Sequence, residues 1–276
     1  MEQKVIVVTG SNKGIGKAVV EKLLQEAPEF NVVIMTSRDT ERGNAAKQEI
    51  EQSGIANGRL VYHQLDVIDK QSIEIFRQYI EANYNKIDVL INNAGIAFKG
   101  NAWGGEVARA TIQTNLYGMM YVTEGLLPVM KEGGHIINVT SMVGKFKKIP
   151  DENLRNKFLS TDMTREELLR LAEDFIEGVE QDNWRERGWQ GSTYSVSKVL
   201  ANGYTRVLDR ELKAQGRNLR VNAMCPGWIA TDMAGPNATG TVEEGARTPV
   251  MLAKYTGQES GRFWENQQMK EWDELN

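Results

Sequence analysis

The chain has 276 residues, 41% of them hydrophobic and 25% charged, which suits a soluble globular protein of one large α/β domain or two small ones. A formal net charge of −4, with acidic and basic residues interspersed, argues against nucleic acid and anionic membrane as partners. The single cysteine, Cys225, excludes an internal disulfide and fits a reducing compartment.

Met1-Glu2-Gln3-Lys4 leads at once into Val5-Ile6-Val7-Val8, so no signal peptide is expected, and no apolar run approaches membrane-spanning length. The expected location is the cytoplasm. Apolar runs predict strands at Lys4–Val8, Val32–Thr36, Arg59–Gln64, Val89–Ile91, Ile136–Val139 and Arg220–Ala223, with a short one near Arg262–Trp264. Helical spacing marks Lys17–Glu26, Thr40–Gln52 and Asp69–Ala82 between them. Strand alternating with helix is the pattern of βαβ units and a doubly wound parallel sheet, whose strands are covered on both faces. Neither a tandem repeat nor a Pro/Gly/Ser-rich linker interrupts it, so residues 1–276 are read as one Rossmann-like α/β domain. The N-x-Thr triplets at Asn138 and Asn237 match the glycosylation pattern, but Asn138 falls in a predicted strand and neither is expected to be used.

After the first strand come Thr9-Gly10-Ser11-Asn12-Lys13-Gly14-Ile15-Gly16. Glycines there let the backbone turn sharply and approach a pyrophosphate at the positive end of the following helix. The turn lacks a strict G-x-G-x-x-G, and methyltransferases carry similar turns. The second strand ends Met35-Thr36-Ser37-Arg38. Where an NAD enzyme places an acid for the ribose 2′-hydroxyl, this chain places a guanidinium suited to a 2′-phosphate. Lys13 supplies a second charge, and Asp39 is read as the start of the next helix. NADPH is therefore the expected nicotinamide.

Between Val143 and Ser192 a polar stretch, about 144–191, breaks the rhythm. Thr164-Arg165-Glu166-Glu167 forms a capping-box pattern, and Leu168, Leu171, Ala172, Phe175, Ile176 and Val179 follow at helical spacing. One or two amphipathic helices are expected, with an apolar stripe that must lie on something. Beyond them, Tyr194 and Lys198 stand four apart and so share a helix face. An ammonium beside a phenol favours the phenolate and predicts a Tyr pKa below its usual value of about 10. His63 and His135 have no carboxylate or Cys at ligand spacing, so no metal site is expected.

Taken together, the Thr9–Gly16 turn, Asp66 after the third strand, Asn92-Asn93-Ala94-Gly95, Thr114-Asn115, Ser141, Tyr194/Lys198 and Pro226-Gly227 resemble the short-chain dehydrogenases/reductases nearly end to end. The resemblance implies Tyr194 as proton donor to a substrate carbonyl, Lys198 lowering its pKa and holding the nicotinamide ribose, and Ser141 binding the developing alkoxide. It implies a water held by Asn115 beside Lys198. Gly10, Asn12, Lys13, Gly14, Ile15 and Gly16 would cradle the pyrophosphate, and Arg38 the 2′-phosphate. Asp66 and Val67 would flank the adenine, Asn93, Ala94 and Gly95 the ribose region, and Pro226, Gly227, Ile229 and Thr231 the carboxamide.

The long segment between Ser141 and Tyr194 resembles that of the monomeric NADPH-dependent carbonyl reductases, with the menthone and salutaridine reductase type as alternative. Family members commonly pair the helices carrying Asn115 and Tyr194 across a two-fold axis, so an insertion packed there implies a monomer. The expected substrate wall is Met142, Ile96, Trp228 and Met233, with Trp103 equally readable as core. Such a wall suits aldehydes, ketones and quinones of varied shape. A protein that only binds NADPH, as sensor or scaffold, is the reading from another class. Cys225 is read as a small buried hydrophobe, because no cation adjoins it in sequence.

Overall fold

The structure, a computed structural model, describes residues 3–100, 102–235 and 237–272. One sheet of eight strands runs in the order β3-β2-β1-β4-β5-β6-β7-β8. The strands are β1 (Val5–Val8), β2 (Val32–Ser37), β3 (Leu60–Gln64), β4 (Ile87–Asn92), β5 (Met130–Val139), β6 (Arg220–Cys225), β7 (Phe263–Glu265) and β8 (Gln268–Lys270). All pairings are parallel except that of β7 with β8. The strand order reverses direction between β1 and β4, and ligands of such sheets bind in the crevice at that point.

Period-two alternation sorts the strands between two cores. Val5 and Val7 of β1 face one apolar cluster, whereas Ile6 and Val8 face the other. The second is closed by α1 (Gly14–Glu26), α2 (Thr40–Gln52) and α9 (Val242–Ala253). The first is closed by α3 (Lys70–Asn83), α4 (Gly105–Ile112), α5 (Met119–Leu126) and the long α8 (Thr193–Ala214). A π turn over Gln113–Gly118 joins α4 to α5, so Asn115 lies in mid-helix at a local distortion. Asp39 caps α2, accepting from Arg42 N at 2.9 Å, as its position after β2 implied.

The insertion forms α6 (Glu152–Leu159) and α7 (Arg165–Glu180). The hydroxyl half of the expected capping box forms, with Thr164 Oγ1 accepting from Glu167 N at 3.1 Å. The stripe Leu168, Leu171, Ala172, Phe175, Ile176 and Val179 is buried against α4 and α8 and belongs to the first core. Polar links fasten its edges. Tyr117 Oη donates to Glu173 at 2.6 Å, Arg109 pairs with Glu180 at 2.7 Å, and Arg165 bonds both Glu124 of α5 and Glu211 of α8.

The short strand expected near Arg262–Trp264 forms as β7, but its antiparallel partner β8 was not expected from the sequence. The turn between them needs left-handed backbone at Asn266 (φ 50) and Gln267 (φ 63), and Asn-Gln is a weaker signal for that turn than Asn-Gly. Among the described residues no helix is long and apolar enough to cross a membrane. Asn138 is fully buried in β5, its Nδ2 donating to Thr205 Oγ1 at 3.0 Å.

His135 is fully buried at the start of the paired part of β5. Asn222 Nδ2 stands 2.9 Å from its Nε2, which makes Nε2 the acceptor and leaves Nδ1–H to donate to Leu252 O at 3.1 Å. Burial, helped by the charge of Arg220, holds its pKa down from 6.5 to about 3. The unfolded chain therefore binds a proton between those values that the folded chain refuses. Stability from this residue is complete above about pH 6.5 and declines as pH falls toward 3, by about 1.4 kcal/mol per unit. Unfolding free energies from urea titration at pH 7 and 5 should differ by about 2 kcal/mol on this account, and H135Q should flatten the difference. An unchanged pH dependence in H135Q would exclude His135 as the cause.

Candidate active site

The glycine turn is clasped to the end of β4. Thr9 Oγ1 accepts from Asn93 N and Ala94 N, both at 3.0 Å, and Asn93 Nδ2 donates to Thr9 O at 2.9 Å and Gly10 O at 3.0 Å. Gly10 has φ +60, and a Cβ there would lie 2.8 Å from Ala94 Cα. At Gly16 a Cβ would lie 2.7 Å from Gly10 O. Lys13, at the N-cap of α1, makes no side-chain cap, so the first amides of α1 face the turn without a side-chain acceptor. This is a backbone cradle at a helix N-terminus, and it fits a pyrophosphate.

Arg38 is exposed at the end of β2, while the Asp39 carboxylate is spent on capping α2. An acid free to take a ribose hydroxyl is therefore missing from that position, and the guanidinium remains. Lys13, the second expected cation, lies 2.8 Å from Asp232 of the loop after β6, a partner the sequence did not suggest. Asp66 Oδ1 accepts from Ile68 N at 3.1 Å, and Val67 packs over Gly118 of the π turn. Thr231 Cγ2 stands 3.4 Å from a Cβ built on Gly14, which brings the Pro226-Gly227 loop over the glycine turn. Ile229 is buried, its side chain packed against Gly240 and Gly245.

Across the crevice, α8 opens with Ser192 accepting from Ser195 N at 3.2 Å, which places Tyr194 and Lys198 on one face of its first turns. Lys198 is buried, with Nζ 5.6 Å from the Tyr194 ring centroid and donating to Val139 O at 2.9 Å. A Cβ on Gly95 would meet Asn115 Oδ1 at 3.1 Å and Lys198 Nζ at 3.7 Å, so these groups share one small volume. Ser141 caps a 3₁₀ turn after β5, and its hydroxyl is near enough to the Tyr194 phenol to favour the phenolate. The structure thus brings Ser141, Tyr194, Lys198 and Asn115 together beside the glycine cradle.

Electrostatically the site differs from expectation. Burial pushes the Tyr194 phenol up to about 12, with Cys225 adding to the rise and the Ser141 hydroxyl opposing it. Burial also depresses Lys198 to about 8. Sequence spacing foretold the neighbouring charge but not that both groups would be desolvated, and desolvation is the larger effect. Cys225 is buried as expected, and burial raises its thiol pKa. It nonetheless lies under the site. Its Sγ accepts from Met142 N at 3.1 Å and Gly227 N at 3.4 Å, tying the Ser141 turn to the Pro-Gly turn. The cation it lacks in sequence, Lys198, stands near it in space.

The expected apolar wall lies on the loops that leave the carboxyl ends of β4, β5 and β6. Met142, Trp228 and Met233 are 40%, 54% and 40% exposed, and Ile96 is half-buried. Trp103 resolves toward the rim, packing edge-on to Trp184 of the insertion with centroids 5.2 Å apart. Phe98, 47% exposed on the same loop as Ile96, belongs with them. It sat within the quoted Asn92–Lys99 segment, and alternation from the half-buried Ile96 was the signal available for it.

Sheet, switch-point cradle and Ser/Tyr/Lys/Asn cluster together define an oxidoreductase that uses a nicotinamide dinucleotide. The model of the short chain dehydrogenase family matches residues 4–151 and 184–241, omitting the whole of α6 and α7, and the chain belongs to that family. It is 39% identical to mouse carbonyl reductase [NADPH] 1 over 97% of this chain and 98% of that protein. Among solved structures, salutaridine reductase from Papaver somniferum superposes with a TM-score of 0.85 at 27% identity, covering 95% of this chain and 99% of that one. The menthone neomenthol reductase of Mentha piperita gives 0.80, also at 27% identity, over 96% and 99%.

Proposed function

We propose that the protein is an NADPH-dependent carbonyl reductase, transferring hydride to aldehydes, ketones or quinones. The observation that carries this reading is the convergence of Ser141, Tyr194, Lys198 and Asn115 on the cradle built by Gly10, Gly14, Gly16 and Asn93. When bound there, the reduced nicotinamide supplies the hydride. The chain's own groups do the rest. Tyr194 donates its phenolic proton to the carbonyl oxygen, Ser141 hydrogen-bonds the same oxygen as charge develops, and Lys198 offsets the phenolate left behind. Asn115 orients the groups around Gly95 and Lys198. Near-full-length likeness to NADPH carbonyl reductases supports both the reaction and the cofactor. Broad specificity is inferred from the exposed, flexible Met142 and Met233 beside the flat Trp228.

A more selective ketone or alcohol oxidoreductase is the second reading, favoured by the closer backbone match to the two plant reductases. A non-catalytic NADPH binder is disfavoured, because it would need none of the Ser/Tyr/Lys cluster. We read the chain as a single cytoplasmic domain that acts as a monomer. What supports the last point is the insertion, whose apolar stripe covers α4 and α8, the helices adjoining Asn115 and Tyr194. A sedimentation mass of two chains would overturn it.

The test is a panel of quinones, aldehydes and keto-steroids assayed with NADPH and NADH. Turnover of many carbonyls supports the broad reading, and turnover of one favours the second. In the same assay R38A should weaken NADPH about ten- to a hundred-fold and leave NADH nearly unchanged, the worth of a charge-assisted bond to the 2′-phosphate. Equal weakening of both nicotinamides would remove Arg38 from that role.

A further inference from the structure

The Asn115 carboxamide is fully buried and held at three points. Its Oδ1 accepts from Ile96 N at 2.8 Å, and its Nδ2 donates to Ile96 O at 2.9 Å and to Ser197 Oγ at 2.9 Å. The Ser197 hydroxyl, also fully buried, passes its own proton to Tyr194 O at 2.7 Å, three residues back on α8. A continuous path of hydrogen bonds therefore runs from the Ile96 backbone through Asn115 and Ser197 to the carbonyl of the tyrosine that carries the phenol.

We propose that Ser197 is a positioning residue for the reaction: its hydroxyl locks the Asn115 carboxamide to the first turn of α8 and so fixes Tyr194 and Lys198 relative to the π turn. The inference rests on the reductase reading of the site. Serine is a poorer helix former than alanine, and a buried hydroxyl is costly unless bonded. At a fully buried position between Tyr194 and Lys198, immediately before the lysine, helix stability alone would select alanine. What the hydroxyl adds is the acceptor that satisfies the second Asn115 N–H. Without it that N–H is buried and unpaired, and the carboxamide is relieved by tilting. Asn115 Oδ1 and Lys198 Nζ lie within 3.1 and 3.7 Å of one point above Gly95, so a tilt there disturbs the ammonium directly. Displacement at a reacting centre is expensive even when it is small.

The experiment compares S197A with the wild type in steady-state reduction of one quinone by NADPH, with NADPH affinity from fluorescence titration and Tm from calorimetry. Expected are a fall in kcat of about ten-fold with KM and NADPH affinity within two-fold, and a Tm lowered by only a few degrees, because the helix preference of alanine partly offsets the unpaired Asn115 N–H. A kcat within two-fold of the wild type overturns the proposal. So does a loss shared equally by kcat, NADPH affinity and Tm, which would mark Ser197 as merely structural. A wild-type protein that oxidises no NADPH with any carbonyl would sink the reductase reading instead, a result separable from either.

Discussion

Replacing Tyr194 by Phe is expected to lower kcat about a thousand-fold while leaving NADPH affinity within a few-fold. The phenol is the group placed to give a proton, and positioned acids contribute roughly 10² to 10⁴. Phenylalanine keeps the ring that packs 5.6 Å from the Lys198 ammonium, so neither the fold nor the cradle should change. The geometry also sets the pH dependence. Burial holds the phenol near 12, a weak acid, so its usefulness depends on a cation to stabilise the phenolate that forms. Lys198 provides that cation only while protonated, and burial has brought its pKa to about 8. Deprotonation above that value removes the charge, so kcat/KM for carbonyl reduction should fall as pH rises through about 8. Following NADPH absorbance against pH in the wild type and in Y194F checks both statements. A Y194F enzyme retaining a tenth of the activity would end the assignment of Tyr194 as the proton donor.

Much of this arrangement was legible in the chain, because its parts are local. The glycine turn follows a strand directly, Tyr194 and Lys198 are one helical turn apart, and Asp39 precedes a helical pattern it can cap. What was not legible depends on segments distant in sequence. That Lys13 would meet Asp232, 219 positions away, or that Cys225 would lie beneath Ser141, needs the sheet order that sets the carboxyl ends of β1, β4, β5 and β6 in a row. The shift of the Tyr194 pKa was misjudged for the same reason. Spacing along one helix reveals the neighbouring charge, whereas desolvation depends on what other elements cover. Ser197 escaped notice although it lies inside the Tyr194–Lys198 motif, since its value comes from Asn115, 82 residues upstream.

The insertion offers the other large effect, since Phe175 tests whether α7 is an appendage or part of the core. Phe175 has no exposed surface and packs edge-on to Trp189, ring centroids 5.5 Å apart, while Trp189 is pinned by a 2.8 Å bond from Nε1 to Asp174. Its neighbours are continuous with Val5, Ile34 and Leu90 of the sheet, in one apolar cluster. If that continuity is energetic as well as geometric, F175A should cost about 3–5 kcal/mol and unfold the whole chain in a single transition some 10 °C earlier. An appendage would behave differently, with α6 and α7 melting alone and the sheet keeping its Tm. The second consequence concerns association. Loosening α7 uncovers the faces of α4 and α8 on which its stripe lies, and exposed apolar helix faces seek partners. F175A should therefore show more dimers or larger species in sedimentation velocity than the wild type at the same temperature. Calorimetry with an unchanged, single transition in F175A would mean that the insertion contributes nothing to the core, and the account of α7 as the cover of a latent pairing surface would fall with it.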